Sequence, residues 1–218
     1  MSKKQLIIAK TIAWLLCLMP LLRLVYRGVN AVRHVEPDLG ANPIEFITLS
    51  TGTWTLVFIL ITLSITPLRK VTGIAWLIKF RRLIGLFAYF YSCLHFTTYI
   101  WLDKFFNVPD MLHDVAKRPF ITAGFLAFVL MLPLAATSTN WSIRKLGGKR
   151  WNLLHKLIYV TGISGVVHFW WKVKPGVRDH YPYAAVLAVL LLYRIFVRVR
   201  PKLAGSAGKS TESSPALN

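Results

Sequence analysis

The sequence predicts an all-α integral membrane protein, a bundle of six transmembrane helices with both termini cytoplasmic. Three observations predict it. Of 218 residues, 55% are hydrophobic and only 16% charged, and the apolar ones fall in blocks of about twenty, enough to cross a hydrocarbon core about 30 Å thick. The net charge of +19 gathers at the ends of these blocks, where it sets orientation. That distribution excludes nucleic acid as the partner and points to membrane lipid. Lastly, histidines stand inside the blocks, and ionisable side chains in such segments are costly and mark function.

The first block, about Leu6 to Tyr26, reads as a retained helix, because no small-residue cleavage site precedes Arg23 and Arg27. A loop broken by Pro37, Gly40 and Pro43 follows, with His34 expected in solvent. The second block, about Ile47 to Thr66, is expected to end at Pro67, before Arg69-Lys70. The third begins after Lys79-Phe80-Arg81-Arg82, reaches about Leu102, and carries Cys93 and His95. His113 lies in the following loop and reads as exposed. The fourth block, Phe120 to Thr137, leads to the basic turn Arg144 to Arg150. The fifth, Trp151 to Lys172, carries His155 and His168, and a short loop with His180, expected exposed, precedes the sixth, about Tyr181 to Val197. Residues 1–200 thus form one membrane domain, and 201–218 a disordered cytoplasmic tail poor in apolar residues.

Alternation of six spans puts the basic clusters on the side of the N-terminus and seven of the eight acids opposite. The positive-inside rule then makes both termini cytoplasmic. On this map His95 and His168 share a depth in the outer half, where two helices could clamp one haem iron. Bis-imidazole ligation suits electron transfer, since no coordination position stays open. Neither Cys17 nor Cys93 belongs to a Cys-x-x-Cys-His site, so any haem would be held without covalent links.

His155 lies thirteen residues before His168, about 20 Å along a helix but about 140° around it. Either the helix tightens at Gly162 and Gly165, or the two rings face different neighbours. No histidine of the third block stands opposite His155. Arg81 and Arg82, fourteen and thirteen residues before His95, read as orientation anchors or as partners for haem propionates or a flavin phosphate.

With its histidines placed so, the chain resembles the MsrQ (YedZ) family, related to the ferric reductase-like transmembrane domain. The matching pieces are Ile65-Thr66-Pro67-Leu68-Arg69, Arg81-Arg82-Leu83-Ile84-Gly85-Leu86, Leu94-His95, Lys117-Arg118-Pro119-Phe120, Thr137-Ser138-Thr139, Lys149-Arg150-Trp151, Leu154-His155 and His168. They run in unbroken order over roughly residues 10 to 200. The resemblance implies a haem-binding electron-transfer subunit of the bacterial inner membrane. It would take electrons from the quinone pool or a cytoplasmic flavin donor and serve MsrP, a periplasmic molybdopterin methionine-sulfoxide reductase. It implies b-type haem, one or two, held by His95, His155 and His168, with Arg81, Arg82 and Trp151 around the cofactors, and an associated FMN. No Gly-x-Gly-x-x-Gly fingerprint is present, so the electron donor is a separate molecule. Two other readings stand beside it: a stand-alone ferric or cupric reductase, and a non-redox scaffold or transporter.

Overall fold

Helix boundaries follow local signals in the sequence. In the computed structural model, which describes residues 1–33, 39–172 and 180–209, the α-helices are α1 (Lys3–Val32), α2 (Pro43–Thr72), α3 (Arg81–Thr98), α4 (Val108–Lys117), α5 (Pro119–Ala136), α6 (Asn140–Leu146), α7 (Gly148–Leu154), α8 (Leu157–Lys172) and α9 (Tyr181–Lys209). Ser2 and Gln5 close a reciprocal capping box on α1. Asn42, Asn107 and Thr139 cap α2, α4 and α6 through their side chains. Gly73, at φ +72°, ends α2 in the left-handed conformation that only glycine adopts freely.

Among the described residues, five helical segments are long and apolar enough to cross a membrane: Lys3–Val32, Pro43–Thr72, Ala75–Asp103, Pro119–Ala136 and Tyr181–Val199. The protein is a multi-pass membrane protein. The expected fifth span, Trp151 to Lys172, is not one helix. The chain turns at His155 and Lys156, where Lys156 N–H bonds back to Leu153 O, and α8 starts afresh at Leu157. Its 16 residues rise about 24 Å. α9 runs past the expected end at Val197 to Lys209, and residues 210–218 lie outside the described part, as does His34.

α2 is the axis of the bundle. It buries Leu56, Phe58, Ile59, Leu60 and Leu63 against Phe87, Ala88 and Tyr91 of α3, Met131 and Leu134 of α5, Ile158 of α8 and Leu187 and Leu190 of α9. α2 pairs with α3 and α5 with α8, so the core is two helix pairs laid side by side. α1 and α9 leave most of their apolar side chains exposed, the surface that faces lipid once the helices span a bilayer.

Prolines interrupt the backbone ladder inside α1, α2 and α5, and in α1 and α2 a side chain from another helix repairs the break. α2 does not stop at Pro67 as the sequence suggested; it continues a further turn to Thr72. Pro67 has no N–H, so Leu63 O loses its intrahelical donor. Arg194 Nη2 of α9 supplies one at 2.7 Å, while Nη1 bonds Tyr159 Oη at 2.6 Å. In α1, Tyr91 Oη of α3 inserts beside Pro20. It donates to Cys17 O and accepts from Leu21 N–H, both at 3.0 Å.

Candidate functional site

His95 and His168 meet between the two helix pairs. Their ring centroids stand 6.0 Å apart with planes at 71°. His95 Nδ1 donates to Thr48 O at 2.9 Å and His168 Nδ1 to Phe120 O at 2.6 Å. A carbonyl only accepts, so each Nδ1 carries the proton and each Nε2 keeps its lone pair. The two halves repeat one arrangement. Four residues after each accepting carbonyl comes a glycine, Gly52 or Gly124, and the ring lies on it. A Cβ at Gly52 would sit 2.9 Å from His95 Cε1, and one at Gly124 2.7 Å from His168 Nδ1.

The rings line a cavity of 620 Å³, within the size range of cofactor pockets. Its deep wall is apolar, with Leu56, Ile59, Ala127 and Met131. Among the described residues no three of His, Cys, Asp and Glu gather around a common point. Two imidazoles alone hold a bare ion poorly; they suit a metal whose remaining positions a macrocycle fills. The spacing fits that chemistry. Two bonds of about 2 Å, plus about 1 Å from each nitrogen to its ring centre, bring the centroids to roughly 6 Å. The residues present therefore fit a bis-imidazole haem.

His155 belongs to a different neighbourhood. It closes α7, its Nδ1 bonds Trp151 O at 3.1 Å, and its ring stacks on Trp151 with centroids 3.8 Å apart. Trp151 is itself fixed by a bond from Nε1 to Thr137 O, 2.9 Å. His155 Nε2 is buried without a protein partner. The two rings expected to differ by about 140° on one helix thus stand on two helices. The break falls at His155–Lys156; Gly162 instead admits Leu187 and Leu63, and Gly165 admits Leu56. Arg81 acts electrostatically on His155, Tyr159 and Arg194, whereas Arg82 turns away, its Nη1 bonding Asn140 Oδ1 at 2.7 Å. The structure brings Arg81, Trp151 and His155 to one region and leaves Arg82 at its edge.

His180 corrects the sequence reading. It is 7% exposed, packed against Trp170 and Tyr181 with centroids 4.3 and 4.4 Å away, because the start of α9 folds over the aromatic end of α8. His113 is exposed, as expected. Sequence reasoning also missed Asp114, which α4 buries under the π-turn Tyr99–Asp103. There it pairs with Lys104 and with Arg118 Nε at 3.2 Å, and accepts from Tyr99 Oη at 3.2 Å. These bonds tie α4 over the cavity. Arg194 was missed too, although a lone charge within an apolar block was a visible signal.

A protein-family profile described as "Ferric reductase like transmembrane component" matches residues 46–166, which include His95 and His155 and stop just short of His168. Similar proteins carry the name protein-methionine-sulfoxide reductase heme-binding subunit MsrQ. The one from Herminiimonas arsenicoxydans is 52% identical over 89% of this chain and 88% of its own. That from Ralstonia nicotianae is 52% identical over 88% and 87%, and that from Xanthomonas campestris pv. campestris 43% over 91% and 92%. No solved structure matches.

Proposed function

The chain belongs to the MsrQ family of heme-binding subunits of protein-methionine-sulfoxide reductase, and on that footing we propose that it is the membrane electron-transfer subunit of such a system. It would sit in the bacterial inner membrane, take electrons from the quinone pool or a cytoplasmic flavin donor, and serve MsrP, a periplasmic molybdopterin reductase that repairs oxidised methionine. The observation that carries the reading is the pair of imidazoles 6.0 Å apart, each fixed through Nδ1 to a neighbouring helix. Haem b, when bound, supplies one-electron storage and release. His95 and His168 would be its axial ligands, and the 620 Å³ cavity between them would receive it.

Nearer the basic end, His155 offers a buried Nε2 without a partner, steadied by Trp151. Arg81 and Arg194 add cationic charge, which suits an anionic group such as the propionate of a second haem or the phosphate of FMN. Arg82, held by Asn140, would contribute charge from the edge.

Alanine variants of the three histidines test the reading by haem content and optical spectra. His95→Ala and His168→Ala should each convert the low-spin haem to high-spin or empty the site. His155→Ala should retain that low-spin haem and slow its reduction by the donor. Loss of all haem in His155→Ala with full retention in His168→Ala would overturn the assignment. Reoxidation of the reduced protein by ferric chelates alone, without a partner enzyme, would favour a stand-alone metal reductase.

A further inference from the structure

The cavity between His95 and His168 carries charged side chains at one end only. The four charged residues that line it are Glu45, Asp103, Arg118 and Lys172. All four lie at the mouth, the end of the bundle where α2 begins and α8 reaches Lys172, while Leu56, Ile59, Ala127 and Met131 close the deep end. The charges are also sorted by side. Arg118 stands two residues before Phe120, whose carbonyl holds His168, and Lys172 stands one helical turn beyond His168. The two acids belong to the other helix pair: Glu45 lies three residues before Thr48, and Asp103 eight residues after His95.

Each cation is available to a ligand in its own way. Arg118 gives Nε to Asp114 Oδ1 at 3.2 Å, which fixes the guanidinium and leaves its terminal nitrogens. Asp114 is matched by Lys104 and the Tyr99 hydroxyl as well, so it does not cancel the charge at the mouth. Lys172 has no ion pair with any described carboxylate.

We infer that Arg118 and Lys172 are the anchoring residues for the carboxylate edge of the planar group held by His95 and His168, and so set which way round it sits. This inference rests on the haem reading above. A haem has one edge with two propionates and an opposite edge of vinyl and methyl groups. The deep end takes the second edge, because it holds no cation for a buried carboxylate and its hydroxyls, Thr55 and Ser92, already donate to Thr51 O and Tyr89 O. Glu45 and Asp103 repel the propionates from the α2–α3 side. Arg118 and Lys172 receive them on the α5–α8 side through charge-assisted hydrogen bonds.

The test is titration of the full-length apoprotein, purified in detergent from haem-deficient cells, with protohaem IX and with its dimethyl ester. The ester keeps the iron and the ring and removes only the negative charges. The wild type should bind the diacid at least about tenfold more tightly than the ester. Lys172→Gln and Arg118→Gln should each shrink that preference, and the double variant should lose it while still giving a low-spin spectrum with the ester. Equal affinity of the wild type for the two porphyrins would overturn the inference, as would an undiminished preference in Lys172→Gln and in the double variant. Both results leave the axial assignment standing. A wild type that binds neither porphyrin would instead overturn the haem reading, and this inference with it.

Discussion

Replacing Gly124 with alanine puts a methyl carbon 2.7 Å from His168 Nδ1 and 2.9 Å from Cε1. Ordinary contact begins at about 3.5 Å, so the ring must retreat by roughly 0.8 Å. Gly52→Ala, with a Cβ 2.9 Å from His95 Cε1, demands a retreat of roughly 0.6 Å. A surface imidazole would swing aside at little cost. These rings are pinned by Nδ1 bonds of 2.6 and 2.9 Å, and moving away from the glycine stretches or tilts those bonds. Overpacking costs about 1–3 kcal/mol, and an unmade hydrogen bond in a buried place a similar amount. Since about 1.4 kcal/mol is tenfold in affinity, each variant should bind haem at least about tenfold more weakly and lose low-spin character. Gly85→Ala is the control: its Cβ would lie 3.6 Å from Thr62 Cγ2, an ordinary contact, and should leave binding unchanged. The assay is titration of the apo variants with haem, followed in the Soret band, beside a thermal melt of each. Wild-type affinity and spectrum in Gly124→Ala would refute the reasoning, and so would equal losses in all three variants.

Three further outcomes are expected. Tyr91→Phe and Arg194→Leu each strand backbone groups beside a proline and should lower stability by about 1–3 kcal/mol, read by thermal unfolding in detergent. The Lys104 ammonium, with Arg118 and the Tyr99 hydroxyl, holds the Asp114 carboxyl below the usual carboxylate range. A carboxyl lowered in the folded state stabilises above its ordinary pKa and loses that contribution as pH falls through the folded value. Asp114→Asn should therefore flatten the acid limb of a stability–pH profile below about pH 4. Reporter fusions at Gly40 and Asp110 should report the periplasm, and at Gly73 and Gly147 the cytoplasm; a cytoplasmic signal at Asp110 would reverse the orientation.

Five of the six expected spans and the nearness of the His95 and His168 rings were legible because both depend on position along the chain. Apolar blocks report depth, and two histidines at one depth on helices free to pack are candidates for one metal. Breaks in the helices were harder to read. Pro67 looked like a terminus because the sequence does not show that Arg194, 131 residues from Leu63, reaches its carbonyl. Trp151 to Lys172 looked continuous because nothing there breaks a helix by propensity; the turn at His155 comes with bonds to Leu153 O and Trp151 O. Gly52 and Gly124 were unremarkable until the rings lay on them. His180 was misread for the same reason, since its burial comes from Trp170 and Tyr181 folding against it.

The two repaired proline breaks bear on how the chain is assembled during synthesis. Spanning helices enter lipid one after another, and a backbone group without a partner there costs several kcal/mol. The break in α1 is sealed by Tyr91, 70 residues on from Leu21, so α1 gains its partner once α3 has entered. The break in α2 waits for Arg194, on α9, the last of the described helices. Until then α2, the axis of the bundle, carries an open carbonyl, and Arg194 in its turn enters as a charge looking for an acceptor. Each settles the other, so insertion of α9 locks the axis in place. A chain cut before Arg194 would keep both histidines of the cavity yet lack this closing step, leaving an intermediate for membrane quality control to remove.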